Sequence, residues 1–288
     1  MKVLVLGGTG TVGSQVLHEL LKRECEVTVL TRSGDRAKNL PKNAHCVIGD
    51  LLDPVTVRSI FKKIDAVFLL NAVSPTETHE GLMAVNGARL AGVKRIVYLS
   101  VPKLEQALHL PHFGSKLPIE AAIKASRIPY TILKPNNFFQ NDYWFKEAIL
   151  QHSVYPQPIG DIGLSRIDVR DIAEVAAVAL TTKKTDGETI NLSGPDALTG
   201  KSTADIWTRV LGRPVSYGGN DLDTWEQQTL EYLPPWMTFD FKLMYAFFQE
   251  NGLKAAPKDM ERQRELQGRE PKRYEDFVDE TSKMWKER

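Results

Sequence analysis

The 288-residue sequence has few of the features that mark several classes of protein. It contains only two cysteines, Cys25 and Cys46, and their spacing does not match a metal site. No apolar run approaches the length of a membrane span, and the apolar stretch at residues 2–6 is too short for a signal sequence. We therefore expect a cytoplasmic protein without a bound metal, whose two thiols are reduced core residues on neighbouring strands.

A marked excess of either charge is also missing, since 37 Lys and Arg residues face 36 Asp and Glu residues, for a net charge of +1. This balance argues against nucleic acid or an anionic membrane as a partner. The chain is long enough to bury a large core, as one large domain or as a domain with an appended lobe. The expected partner is a small-molecule substrate, and the expected assembly is a monomer or a homodimer.

The sequence does contain a glycine-rich turn at residues 7–13, directly after the apolar run at residues 2–6. From Thr11 onward apolar residues recur at helical spacing, so the glycines join a strand to a helix. Such a turn lets backbone N–H groups approach a pyrophosphate that rests on the helix N-terminus. We predict a dinucleotide site here, the alternative being a purely structural turn. The residues assigned to it are Gly7, Thr9, Gly10, Thr11, Val12 and Gly13. Either Gly10→Ala or Gly13→Val is expected to abolish dinucleotide binding in a protein that still folds.

Strand and helix patterns alternate along the chain, which predicts an α/β fold with a doubly wound parallel sheet. Residues 1–155 form the predicted dinucleotide-binding domain, and residues 165–195 are expected to return to its sheet. Residues 196–288 are predicted to form a smaller, mainly helical C-terminal substrate lobe that acts as a lid over the nicotinamide. In this architecture ligands bind beyond the carboxyl ends of the strands, so the residues after each strand are the candidates for the site.

The second predicted strand is followed by Arg32 and Arg36. An NAD site usually has an acidic residue in this region, which binds the ribose 2′-hydroxyl. A guanidinium group instead binds a 2′-phosphate with two hydrogen bonds. The predicted cofactor is therefore NADPH or NADP, the alternative being two arginines in a solvated surface loop.

Two further strand ends supply candidates for the cofactor site. Asp50 is placed to accept the adenine amino group, with Leu51 against the face of the ring. Asp53 stands directly before a proline and is predicted to cap a helix. Asn71 and Ala72 offer small side chains where the dinucleotide must pass close to the backbone.

Taken together, these motifs resemble the atypical short-chain dehydrogenase/reductases, and within them the NmrA-like family. The matching features are the glycine turn, Arg32, residues 49–51, Lys116, and the stretches at 130–141 and 167–173. The resemblance covers roughly residues 1–215. It implies a Rossmann fold that binds NADP(H), with Pro135, Asn137 and Phe138 at the nicotinamide end of the cofactor.

The resemblance also implies catalytic positions. Ordinary members of the superfamily use a Tyr-x-x-x-Lys pair, in which the tyrosine transfers a proton and the lysine holds the nicotinamide ribose. A serine on the preceding strand orients the substrate carbonyl. Here Lys116 stands at the lysine position, Ser100 near the serine position, and His112 at the tyrosine position. His112 is predicted to transfer a proton, the alternative being a partly exposed spacer beside a helix N-terminus.

Two functions follow from this pattern. The first is an NADPH-dependent oxidoreductase that transfers hydride to a small apolar acceptor, aromatic or quinone-like. The second is a non-catalytic NADP(H)-binding redox sensor or regulator of the NmrA type. Aromatic residues at 138–145 and in the C-terminal lobe favour the enzyme, unless those at 138–145 are core residues. Histidine in place of the family's tyrosine favours the sensor.

Overall fold

The computed structural model describes residues 1–286 and divides the chain into two compact units. Unit 1 consists of Met1–Pro135, Val169–Asn191 and Glu265–Gly268. Unit 2 holds the remaining described residues, with Asn136–Asp168 and Leu192–Arg264 as its main segments. Unit 2 therefore begins at Asn136, whereas the predicted first domain extends to residue 155.

Within residues 1–286, nine strands form two sheets. They are β1 (Lys2–Leu6), β2 (Glu26–Thr31), β3 (Ala44–Ile48), β4 (Ala66–Leu69), β5 (Arg95–Leu99), β6 (Tyr130–Pro135), β7 (Val154–Tyr155), β8 (Glu188–Leu192) and β9 (Ser216–Tyr217). The large sheet has the order β3-β2-β1-β4-β5-β6-β8, and β1 to β6 pair in parallel. In unit 2, β7 pairs with β9. The order reverses on either side of β1, as in a doubly wound Rossmann sheet, so the predicted fold class is confirmed.

Helices connect these strands and make up most of the C-terminal region. They are α1 (Thr11–Lys22), α2 (Gly34–Ala37), α3 (Pro54–Ile60), α4 (Glu77–Ala91), α5 (Pro111–Gly114), α6 (Lys116–Ala125), α7 (Lys146–Leu150), α8 (Val169–Thr181), α9 (Gly200–Leu211), α10 (Leu222–Thr229), α11 (Pro235–Asn251), α12 (Pro257–Gln267) and α13 (Tyr274–Lys286). Two 3₁₀ turns lie at Leu104–Gln106 and Phe139–Phe145. Asp53 caps α3 as predicted, since its carboxylate accepts the N–H groups of Val55 and Thr56. In the part of the chain that the structure describes, no helix is both long and apolar enough to span a membrane.

One face of the large sheet is covered by α3, α4 and α6, whose apolar residues form a single core cluster with the strands. Helices α4 and α6 approach each other closely at Gly81. A Cβ atom at this position would lie 2.3 Å from Cδ1 of Ile119, which leaves no room for a side chain. This close packing fixes the two helix N-termini relative to each other.

The two cysteines differ from the expectation that both are core residues. Cys25 is buried directly before β2, and burial raises the pKa of its thiol. Cys46 lies on β3 and is exposed, so the prediction of a buried Cys46 is wrong. The reason is its place in the sheet: β3 is the edge strand, and residues 45–48 are all exposed.

Candidate functional site

The glycine turn between β1 and α1 has the geometry of a tight strand-to-helix connection. Gly7 adopts a φ of +76°, a left-handed conformation that favours glycine, and its carbonyl accepts the N–H of Gly10 at 3.0 Å. A Cβ atom on Gly13 would lie 2.1 Å from the oxygen of Gly7. Gly13 therefore lets α1 pack against the turn, and we now expect Gly13→Val to weaken folding as well as dinucleotide binding, because the clash is with backbone.

Gly10 occupies a different environment. It is exposed, its φ of −92° is open to any residue, and an added Cβ would meet only the Gly7 oxygen, at 3.3 Å. No side chain among the described residues caps the N-terminus of α1, so its first N–H groups stay available. An open approach to unpaired N–H groups at a helix N-terminus fits a pyrophosphate.

Beside this turn lies a cleft of about 180 Å³ between α1 and the segment that follows β2. Gly8 and Thr9 of the turn line it together with His18 and Arg36. Arg32 and Arg36 are both exposed, and α2, which carries Arg36, is capped by the hydroxyl of Ser33. The structure thus brings Arg36 to the glycine turn, while Arg32 is not among the residues that line the cleft.

The ends of β3 and β4 contribute the next predicted residues. The Asp50 carboxylate accepts the N–H of Leu52 at 2.8 Å, and Leu51 is buried in the core cluster. Asn71 follows β4, next to the glycine turn, and Ala72 beyond it is exposed. Both polar atoms of the buried Asn71 amide lack a hydrogen-bond partner among residues 1–286. Buried amides are normally paired, so Asn71 marks a place for a polar ligand at this edge of the sheet.

Ser100 belongs to a buried polar group beneath α6. Its hydroxyl donates to Glu120 Oε1 at 2.5 Å, and the same oxygen lies 3.3 Å from the ammonium of Lys134. On the same face of β5, burial raises the pKa of Tyr98 well above its usual value, and the charges of Glu77 and Glu120 raise it further. Ser100 therefore binds a carboxylate in this structure, and its role toward a substrate stays a prediction.

His112 and Lys116 lie at the start of α5 and α6. The His112 side chain is only 9% exposed, and its ring stands edge-on to Phe113 with 4.7 Å between ring centroids. Lys116 is buried, and its ammonium donates to Oε1 of Glu77 at the start of α4. Glu77 was not predicted from the sequence, because it belongs to no motif and lies 39 residues from its partner.

Pro135 ends β6 in unit 1, whereas Asn137 and Phe138 belong to unit 2. There both bind the guanidinium of Arg166: Asn137 Oδ1 accepts from Nε at 2.9 Å and the Phe138 carbonyl from Nη2 at 2.8 Å. Their assignment to the cofactor stays a prediction. Among the aromatic residues that follow, Phe139 is buried and Trp144 is 66% exposed, so the stretch is core only in part.

Arg166 is the centre of a polar network inside unit 2 that sequence reasoning missed. Its Nη2 lies 2.7 Å from Asp142 Oδ1, and both side chains are fully buried. Nη1 donates to the hydroxyl of Tyr155 at 3.0 Å, and the Tyr274 hydroxyl donates to the other oxygen of Asp142. Burial lowers the pKa of Arg166, but Asp142 and the two tyrosines raise it above its usual value, so the guanidinium stays charged.

The fold and the site together define a class of protein. A doubly wound parallel sheet, a glycine cradle after β1 and basic residues after β2 make this a dinucleotide-binding Rossmann protein. The model of the NmrA-like family matches residues 1–278, and the chain belongs to that family. The predicted family is thereby confirmed.

Curated relatives and solved structures agree with this assignment. The chain is 31% identical to an NAD(P)H azoreductase of Xenophilus azovorans, over 75% of this chain and 76% of the relative. It is 30% identical, over 96% of each chain, to a (4-alkanoyl-5-oxo-2,5-dihydrofuran-3-yl)methyl phosphate reductase of Streptomyces griseus. A crystal structure of an NADPH-dependent quinone oxidoreductase from Escherichia coli, complexed with NADPH, has the same fold. Its TM-score is 0.87 at 21% identity, over 97% of this chain and 99% of the other. NADPH, the predicted cofactor, is the one named for that structure.

Proposed function

We propose that this chain is an NADPH-dependent reductase that transfers hydride to a small apolar acceptor, aromatic or quinone-like. The observation that carries the proposal is the cradle at Gly10, open in front of unpaired N–H groups at the N-terminus of α1. The names of two similar proteins, which specify an azoreductase and a quinone oxidoreductase, support the acceptor class, while a third names an unsaturated lactone that carries a phosphate ester. All of these are conjugated acceptors that take up two electrons.

Unit 1 offers groups for three parts of the cofactor. The N–H groups at the start of α1 bind the pyrophosphate, and Arg32 and Arg36 bind the 2′-phosphate. The Lys116 ammonium, buried at the start of α6, binds the hydroxyls of the nicotinamide ribose. When bound, NADPH supplies the hydride.

Reduction of such an acceptor consumes one proton with each hydride: acceptor, NADPH and H⁺ give the reduced acceptor and NADP⁺. His112 is the proposed donor of this proton, because imidazole exchanges protons readily near neutral pH. Water is the competing donor. A hydroquinone oxygen or a hydrazine nitrogen can take its proton from solvent, and His112 would then be dispensable.

The experiment is a screen of NADPH consumption with quinones, azo dyes, enones and aldehydes. Turnover of any acceptor above about 1 s⁻¹, a low value for an enzyme, would support the reductase. We expect Lys116→Ala to weaken NADPH binding and lower turnover together. His112→Phe should leave NADPH affinity unchanged and lower turnover by roughly 100-fold if the histidine donates the proton.

The second candidate, a non-catalytic NADP(H) sensor, is favoured by histidine at the tyrosine position of the family motif. It predicts tight NADPH binding without turnover of any acceptor in the screen. That result would overturn the proposed reductase activity and leave the cofactor site intact.

A further inference from the structure

We infer that Glu77 is a positioning residue for the cofactor: its carboxylate holds the Lys116 ammonium in place and leaves two N–H donors for the nicotinamide ribose. The inference rests on the proposed function, since it deepens the role of Lys116 in that site. Glu77 and Lys116 both belong to unit 1.

The packing of α4 against α6 brings Glu77 and Lys116 together. Gly81 lets the two helices approach, and Glu77 lies one turn before Gly81 on α4, as Lys116 lies one turn before Ile119 on α6. The hydroxyl of Thr78 adds a second link, donating at 2.8 Å to the carbonyl just before Lys116. The first turn of α4 thus holds the first turn of α6 by a side-chain ion pair and a hydrogen bond.

Because Lys116 is buried, it depends on this ion pair for its counter-charge. The side chains are 7% exposed for Lys116 and 1% exposed for Glu77, so neither charge is well solvated. A buried ammonium without a counter-charge is strongly unfavourable. The neighbouring lysine, Lys134, has its own buried carboxylate in Glu120, which leaves Glu77 as the counter-charge of Lys116.

The hydrogen-bond donors of the Lys116 ammonium determine how many bonds it can offer a ribose. An ammonium group has three donors, and Glu77 takes one of them. Two donors remain, which is the number that the adjacent hydroxyls of a ribose can accept. Oε2 of Glu77 has no hydrogen-bond partner within residues 1–286, so this carboxylate belongs to no other network in the described chain.

Tyr98 does not offer an alternative to this arrangement. Its hydroxyl is buried near Glu77 and could be taken for the tyrosine that the family motif lacks at residue 112. Its side chain is wholly inaccessible, however, and is part of the core cluster. It therefore cannot contact a substrate, and Lys116 with Glu77 remains the ionic pair of this region.

The test compares the affinity for NADPH of Glu77→Asp and Glu77→Gln, measured by nicotinamide fluorescence in the full-length protein. Glutamine keeps the size of Glu77 and loses the charge, whereas aspartate keeps the charge and shortens the side chain. We expect Kd to rise about tenfold for Glu77→Gln, the equivalent of one charge-assisted hydrogen bond, and by less for Glu77→Asp. If Glu77 only fills space, Glu77→Asp should raise the Kd for NADPH more than Glu77→Gln does. That result would overturn the inference.

A double-mutant cycle provides the second criterion. If Glu77 acts through Lys116, then Glu77→Gln in a Lys116→Met background leaves Kd unchanged from Lys116→Met alone. Additive losses would contradict the inference. Glu80→Gln is the matched control, because Glu80 is buried on the same helix but accepts from Thr76, and it should bind NADPH as the wild type does.

These measurements need no acceptor. If the wild type binds NADPH but reduces nothing, the proposed function fails while the order of the Glu77 variants still decides the present inference. If Glu77→Gln does not fold, Glu77→Asp and the doubly uncharged variant Glu77→Gln/Lys116→Met keep the test open. A Glu77→Asp variant that binds NADPH more weakly than the doubly uncharged one would also overturn it.

Discussion

The variant Gly10→Ala tests whether the glycine turn binds phosphate or is only a structural turn. The added methyl group has an allowed backbone conformation, with φ at −92°, and its one close contact is the Gly7 oxygen at 3.3 Å. The neighbour must yield by only a few tenths of an ångström, so we expect the free energy of unfolding to change by about 1 kcal/mol or less. In the proposed cofactor site, the same methyl group would occupy space that a phosphate oxygen needs to reach the helix N-terminus.

The expected loss of affinity follows from the bonds that the methyl group prevents. One hydrogen bond to a charged group contributes about 1.5–3 kcal/mol, so losing one raises the Kd for NADPH by roughly 10- to 150-fold. Fluorescence titration measures the affinity, and thermal unfolding followed by circular dichroism confirms the fold. Gly218→Ala in unit 2 is the steric control, since its Cβ would also meet backbone at 3.3 Å, and it should bind NADPH normally. A folded Gly10→Ala variant with wild-type affinity would refute the cradle.

Three further predictions concern charge and burial. Arg32→Ala should raise the Kd for NADPH at least tenfold and leave that for NADH unchanged, while Arg89→Ala, exposed on α4, should alter neither titration. Arg166→Met should lower the unfolding free energy by about 3–5 kcal/mol, because it leaves the Asp142 charge buried without its partner; a melting temperature within about 2 °C of the wild type would contradict this. Burial raises the pKa of Tyr245 to about 12, so the folded protein keeps a proton that the unfolded chain loses near pH 10. Stability should therefore fall as the pH rises from about 10 to about 12, and denaturant titrations should show a shallower fall in Tyr245→Phe.

The features that the sequence predicts correctly are those whose interacting residues lie close together along the chain. The glycine turn needs only the seven residues 7–13 and their flanking patterns, and the Asp53 cap needs only the three residues that follow it. The alternation of strands and helices is likewise local and predicts the fold class.

What sequence did not predict depends on which elements become neighbours. Glu77 meets Lys116 because Gly81 lets α4 approach α6, and Arg166 meets Asp142 although 24 residues, which include α7 and β7, separate them along the chain. Cys46 lies in a pattern that looks like an interior strand, but strand order places β3 at the edge. Nothing local distinguishes an edge strand from a central one when its residues are apolar.

Because the two cysteines differ in exposure, unit 1 can be labelled selectively near the proposed nucleotide site. We expect a maleimide reagent to react with the accessible Cys46 thiol and to spare Cys25, which is buried and whose thiol pKa burial raises. The native chain can thus be labelled at one position without removing a residue. Cys46 pairs with Val29 of β2, the strand that leads into Arg32. A fluorophore attached there would sit one strand from the arginines that we assign to the 2′-phosphate, in a position to report on that site without an acceptor.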